Sequence, residues 1–219
     1  MKFNLLNEIA KCVILHISIL IPITACTQVA GDQSYLDSRV SQFLSENRSD
    51  WHDMNVPFQD GQVLHDLIIE NNYTSALEIG TSTGHSTVWI AWALSRTGGT
   101  LITLEINEER HKTALSNIEK AGLSGFVDAR LTDAHKEVKE LEGPFDFVFS
   151  DADKDWYTQY FKDLDPKLTV GGCFTAHNVL NNFGGTKAFL DYVGSLKNYE
   201  TTIDRSSRSG ISVSYKRSQ

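Results

Sequence analysis

Cysteine, proline and surplus positive charge are all scarce in this sequence. Its three cysteines, Cys12, Cys26 and Cys173, form no CxxC pair, which excludes a disulfide-stapled scaffold and a structural zinc site. Four prolines and no biased runs exclude collagen-like and low-complexity architectures. With 20 basic residues against 28 acidic ones, a net charge of −8, the chain lacks the basic face from which nucleic-acid binders draw their affinity. What it has is 219 residues, 41% of them hydrophobic and 10% aromatic, enough to bury a core and to exclude wholesale disorder. That length suits one domain of roughly 100–200 residues plus an appendage.

The appendage is the start of the chain. Lys2 and Lys11 precede an apolar run over residues 12–25, broken only by His16, Ser18, Pro22 and Thr24. The run falls short of the roughly 20 apolar residues that span a bilayer, and it suits the core of a signal peptide. It ends in Ile23-Thr24-Ala25-Cys26, which resembles a bacterial lipobox, where small residues precede a cysteine that is lipidated after cleavage. The expected organisation is a leader at 1–25, an N-terminal helical segment at 26–53 and the main domain at 54–219. The expected location is the cell envelope, with membrane contact only through a lipid on Cys26. The alternative is an uncleaved segment on a cytoplasmic protein.

From residue 75 the pattern alternates. Short β-rich runs stand at 75–79, 100–105, 126–131, 145–150 and 170–176, separated by helical patterns near 84–95, 108–121, 133–141, 155–163 and 185–196. Near-continuous apolar strands between helices mean a parallel sheet covered on both faces. Residues 199–204 and 210–216 have only the polar turn Arg205–Ser209 between them, which predicts an antiparallel pair closing one edge. Two helical stripes come earlier, Leu36, Val40, Phe43 and Leu44, then Val63, Leu64, Leu67 and Ile68, separated by a loop over Trp51–Pro57. The fold class is therefore α/β, a mostly parallel sheet with helices on both faces.

In such a sheet, ligands bind beyond the carboxyl ends of the strands. The first strand runs into Glu78-Ile79-Gly80-Thr81-Ser82-Thr83-Gly84-His85-Ser86. Gly80 and Gly84 let the backbone approach a ligand, and Ser86 can hydrogen-bond it near the helix start. Glu105 ends the second strand, where a carboxylate can accept both ribose hydroxyls. These features fit a nicotinamide or a methyl-donor enzyme alike. The second glycine of G-x-G-x-x-G is replaced by Ser82, and Glu78 would repel a pyrophosphate while tolerating a cationic methionine, so a methyl-donor site is favoured. Taken singly, Glu78 and Glu105 also suit two ordinary strand-end acids.

The fourth strand feeds Asp151-Ala152-Asp153-Lys154-Asp155, and the fifth ends in His177-Asn178. Asp151 could hold a hard cation, with Lys154 beside it as a general base. His177 and Asn178 could add a nitrogen and an amide oxygen to that site, or could form a turn bonded to its own backbone.

The segments ALEIGTSTGHST, ITLEINEER, FDFVFSDADKDWY and GISVSYKR resemble the cation-dependent O-methyltransferases, the group of the catechol and caffeoyl-coenzyme A enzymes, over about residues 54–216. The resemblance implies a seven-stranded Rossmann-like sheet and S-adenosylmethionine lined by Val56, Glu78, Gly80, Thr81, Ser86, Glu105, Ala134 and Asp153. It further implies a divalent cation on Asp151, His177 and Asn178, Lys154 as base, a small hydroxyl acceptor, catechol-like, and a homodimer. His177 departs from the pattern, which has Asp there, so the metal has changed or is dispensable. The expected activity is methyl transfer to that hydroxyl. Its alternatives are a metal-independent methyltransferase of the same fold and a non-catalytic envelope lipoprotein, because an exported site would lack cytoplasmic donor.

Overall fold

A computed structural model describes residues 23–219, with side chains from Asp32 onward. The expected leader over 1–25 and the expected lipidation of Cys26 fall outside these described side chains. No helix among the described residues is long and apolar enough to cross a membrane.

Among the described residues, seven strands form one sheet: β1 (Ser75–Ile79), β2 (Thr100–Glu105), β3 (Val127–Leu131), β4 (Phe145–Ser150), β5 (Leu168–His177), β6 (Tyr199–Asp204) and β7 (Ile211–Lys216). Their order is β3-β2-β1-β4-β5-β7-β6. The first five pair in parallel, and β7 inserts antiparallel between β5 and β6. This is the seven-stranded, mostly parallel Rossmann-like sheet expected from the sequence. The expected antiparallel pair is present, with β6 rather than the last strand at the edge. The fifth strand is longer than its apolar run, because Leu168 and His177 add a residue or more of ladder at each end.

Among the described residues, seven helices flank the sheet: α1 (Ile23–Glu46), α2 (Phe58–Asn71), α3 (His85–Thr97), α4 (Glu108–Ala121), α5 (Ala134–Glu140), α6 (Tyr157–Leu164) and α7 (Thr186–Ser195). The two faces of the pleat bury different sets. Leu77, Ile79, Val148 and Phe174 face Tyr157, Phe161, Phe189 and Val193 of α6 and α7. Phe147, Phe149 and Cys173 face Leu64, Ile68, Ile90 and Leu94 of α2 and α3. Burying such side chains is worth about 1.5–3 kcal/mol each, which is what fixes the strand register. On α1, Val40, Phe43 and Leu44 pack against Val88, Ala114 and Ile118 of α3 and α4.

Two glycines set the geometry that matters for the site. The strand order reverses between β1 and β4, and there Gly80 has φ +101°; a Cβ on it would lie 3.0 Å from the Asp151 backbone. Only glycine lets these two loops meet. Gly61 does the same for α2, since a Cβ there would fall 2.2 Å from the Trp89 ring. This close seat of α2 on α3 buries the neighbouring Asp60 completely.

Candidate active site

A cavity of about 350 Å³ opens at the reversal point, beyond the carboxyl ends of β1, β2 and β4. Gly80, Glu105, Ala134, Asp151 and Asp153 all line it, so the structure gathers five sequence-predicted residues on one wall. Glu78, Thr81, Ser86 and Val56 are buried nearby and do not reach its surface. The Val56 carbonyl instead accepts from His85 Nδ1 at 2.9 Å.

Glu105 is held by backbone. Its Oε2 accepts from Ser82 N at 2.7 Å, and its Oε1 from Ile106 N at 3.1 Å and Asn107 N at 2.9 Å. Two carboxylate oxygens offer about four lone-pair sites, which leaves one for a ligand in the cavity. The acid therefore shapes the loop after β1 as well as presenting itself.

Glu78 is the opposite case. Its Oε2 accepts from Thr87 Oγ1 at 2.5 Å and Thr103 Oγ1 at 2.6 Å. Its Oε1 is buried without a partner, and the Ser86 hydroxyl comes near without reaching hydrogen-bond geometry. Burial pushes this carboxyl up to about 7, against the opposing pull of the Ser86, Thr103 and Thr87 hydroxyls.

Three features of the cavity gave no sequence signal. His135 stacks on Trp156 with ring centroids 3.9 Å apart, a flat wall made by α5 and the turn before α6. Arg110 grips Asp53 through two contacts of 2.9 Å, tying α4 to the loop before α2 beside the rim. Met54 and Ile106, both highly exposed, border the opening.

Asp151 anchors the second half of the site. Its backbone N–H donates to the Ile79 carbonyl at 2.9 Å, locking the loop after β4 to the end of β1. Lys154 Nζ donates to Asp151 Oδ1 at 2.7 Å and to the Asp151 carbonyl at 3.2 Å. Asp151 Oδ2 faces His177 Nδ1 at 3.1 Å, and His177 Nε2 faces Asp60 Oδ2 at 2.7 Å. Ser207 Oγ, from the turn between β6 and β7, also donates to Asp60 Oδ2 at 2.8 Å. Burial alone would push the His177 imidazole down. The Asp151 charge and the hydrogen bonds to Asp151 and Asp60 overcome this and raise it to about 9.

The expected cation site at Asp151, His177 and Asn178 does not take shape in this arrangement. Both Asp151 oxygens and both His177 nitrogens already have protein partners. Asn178 begins the next turn in a left-handed conformation, φ +60°. Among the described residues, no three His, Cys, Asp or Glu side chains form a group that could hold a metal ion. The residues present do not fit a divalent cation. Asp60 was the missing member: it lies on α2, 117 positions before the His177 that it touches, where sequence offers no reason to look.

Residues 28–188 match the family described as O-methyltransferase. The chain is 36% identical over 138 residues to a caffeoyl-CoA O-methyltransferase of Petroselinum crispum, covering 60% of this chain and 57% of the relative. It is 35% identical over 138 residues to caffeoyl-CoA O-methyltransferase 1 of Arabidopsis thaliana, covering 60% of this chain and 53% of the relative. The chain thus spans little more than half the length of these curated relatives. An O-methyltransferase from Bacillus cereus, solved in complex with SAH, superposes with a TM-score of 0.72 at 28% identity, covering 82% of this chain and 91% of that one.

Proposed function

From the premise that the chain belongs to the O-methyltransferase family, we propose that it transfers the methyl group of S-adenosylmethionine to a hydroxyl of a small, catechol-like acceptor. One observation carries the reading: the Asp151 that lines the cavity is the residue that holds the Lys154 amine. Donor pocket and proton acceptor share one loop.

The donor would lie in the cavity, a ribose hydroxyl on the remaining lone pair of Glu105 and the cationic methionine end toward Glu78. Lys154 Nζ, which rests as an ammonium on Asp151, first releases its own proton to solvent and then takes the proton of the acceptor hydroxyl. The oxygen attacks the methyl carbon in line as the carbon–sulfur bond breaks, and the electron pair returns to sulfur to give S-adenosylhomocysteine. The proton stays on Lys154, hydrogen-bonded to Asp151. No step requires a metal. The SAH in the Bacillus cereus structure supports the donor. The name of the plant relatives, caffeoyl-CoA O-methyltransferase, supports a phenolic hydroxyl as acceptor.

The test is methyl transfer to a panel of catechols and other phenols, with calorimetry of donor binding alongside. Transfer to a phenol that is lost in Lys154→Met while donor still binds supports the reading. Donor binding without transfer to any hydroxyl contradicts the acceptor class. The location is proposed with it: a lipid on Cys26 anchors the domain at the cell envelope. Intact mass of membrane-extracted protein should then start at Cys26 with acyl mass, and a soluble chain starting at Met1 refutes it.

A further inference from the structure

We propose that this chain works without a divalent cation because His177, clamped between Asp60 and Asp151, fills that place from inside the fold, with Asp60 as its positioning residue. The inference deepens the O-methyltransferase reading and rests on it for its meaning, though its test does not use activity.

The hydrogen-bond inventory leads there. Ionised carboxylates only accept, so an imidazole with a carboxylate oxygen 3.1 Å from Nδ1 and another 2.7 Å from Nε2 donates from both nitrogens and carries a positive charge. Lys154 is a second positive group on Asp151, at 2.7 Å. Two carboxylates facing one imidazolium and one ammonium leave no net negative charge to attract a dication. An incoming ion would have to displace either Lys154 or His177 from Asp151 and then sit beside both. The clamp is also inaccessible: the side chains of His177 and Asp60 are 3% and 1% exposed. It is built rather than incidental, since three separate elements converge on it. Gly61 seats α2 on Trp89 and so buries Asp60. Ser207 latches the turn between β6 and β7 to the same Asp60 oxygen. The Tyr157 hydroxyl holds the His177 carbonyl at 3.1 Å.

Replacing the imidazole by an acid should undo this. His177→Asp would gather three carboxylates and the Asn178 amide, an oxygen-rich set that suits a hard cation. The experiment uses the full chain, freed of metal by chelator and desalted. Mn²⁺ is titrated against wild type, His177→Asp and Asp60→Asn, and the free ion is read by its electron paramagnetic resonance signal. S-adenosylhomocysteine binding, measured separately on the same samples, reports on the methyl-donor reading independently. In the wild type, Mn²⁺ should stay free at concentrations where His177→Asp binds one equivalent, a gain of about tenfold or more in affinity. Asp60→Asn keeps the imidazole and should gain no such site. A wild-type chain that binds one Mn²⁺ equivalent tightly, in a way abolished by Asp151→Asn, overturns the proposal. So does a folded His177→Asp that binds no more Mn²⁺ than the wild type.

Discussion

Glu78 lies one residue before the end of β1 and Asp151 one residue past the end of β4, on neighbouring strands paired Ile79 to Ser150, yet their carboxyl groups are served in opposite ways. One Glu78 oxygen is buried with no donor, while both Asp151 oxygens are engaged by Lys154 and His177. A buried acceptor left unpaired costs about 1–3 kcal/mol, and an incoming cationic ligand can relieve that cost. A carboxylate already paired on both sides gains little from a newcomer. The donor half of the site is therefore left short at Glu78, whereas in the reaction half Asp151 is partnered on both oxygens and Asp60 Oδ1 is the carboxylate oxygen buried without a partner.

Variants that touch one half and spare the other sharpen this contrast. The largest effect belongs to Lys154→Met, which should lower turnover by about 10²–10⁴-fold with donor affinity almost unchanged. Equal losses in turnover and donor affinity would mean that the halves are not separate. Next comes Glu105→Ala, which removes a charged hydrogen-bond partner worth about 1.5–3 kcal/mol, so donor binding by calorimetry should weaken roughly 10- to 150-fold. Because Glu105 also accepts from three backbone amides, its loss should loosen the loop after β1, visible as faster hydrogen exchange at Ser82 and Asn107.

Glu78→Gln tests the incomplete half through pH. The folded carboxyl titrates near 7 against an ordinary value of 4.5. A group raised in this way stabilises the fold fully below 4.5, and that contribution is lost as pH rises through about 7. The melting temperature of the donor-free protein should fall across that window, by about 2–4 °C for each kcal/mol lost. Glu78→Gln should flatten the fall while weakening donor binding, and saturating donor should flatten it in the wild type. A wild-type melting curve without that fall between pH 4.5 and 8 would contradict the buried, unpaired carboxyl. The smallest effect is expected for Ser207→Ala, which removes one of the two donors to Asp60 Oδ2 and should cost about 0.5–1.5 kcal/mol of stability by denaturant unfolding.

Much of the fold was legible because parallel strands buried on both faces read as plain apolar runs, and β1, β2 and β4 fall where those runs stand. Glycine at position 80 was legible for the same physical reason that it is needed, a backbone pressed against another. The insertion of β7 between β5 and β6 was not legible, since the turn between the two strands fixes their pairing and says nothing about which one meets β5. The site divides likewise. Residues at strand ends could be placed by topology, whereas Val56 and Ala134 came from family resemblance alone. Asp60 was invisible: it is separated by 117 positions from the histidine it holds and sits on a helix beside exposed Gln59 and Gln62. His177 could be read as a ligand only while its second nitrogen was unseen.

The contrast between the halves is tested most directly by the rate of methyl transfer to a catechol, measured in excess chelator and again in millimolar Mg²⁺ with donor saturating in both. The rate should be the same in the two solutions. A rate that collapses in chelator and returns with Mg²⁺ would contradict a reaction half completed by His177.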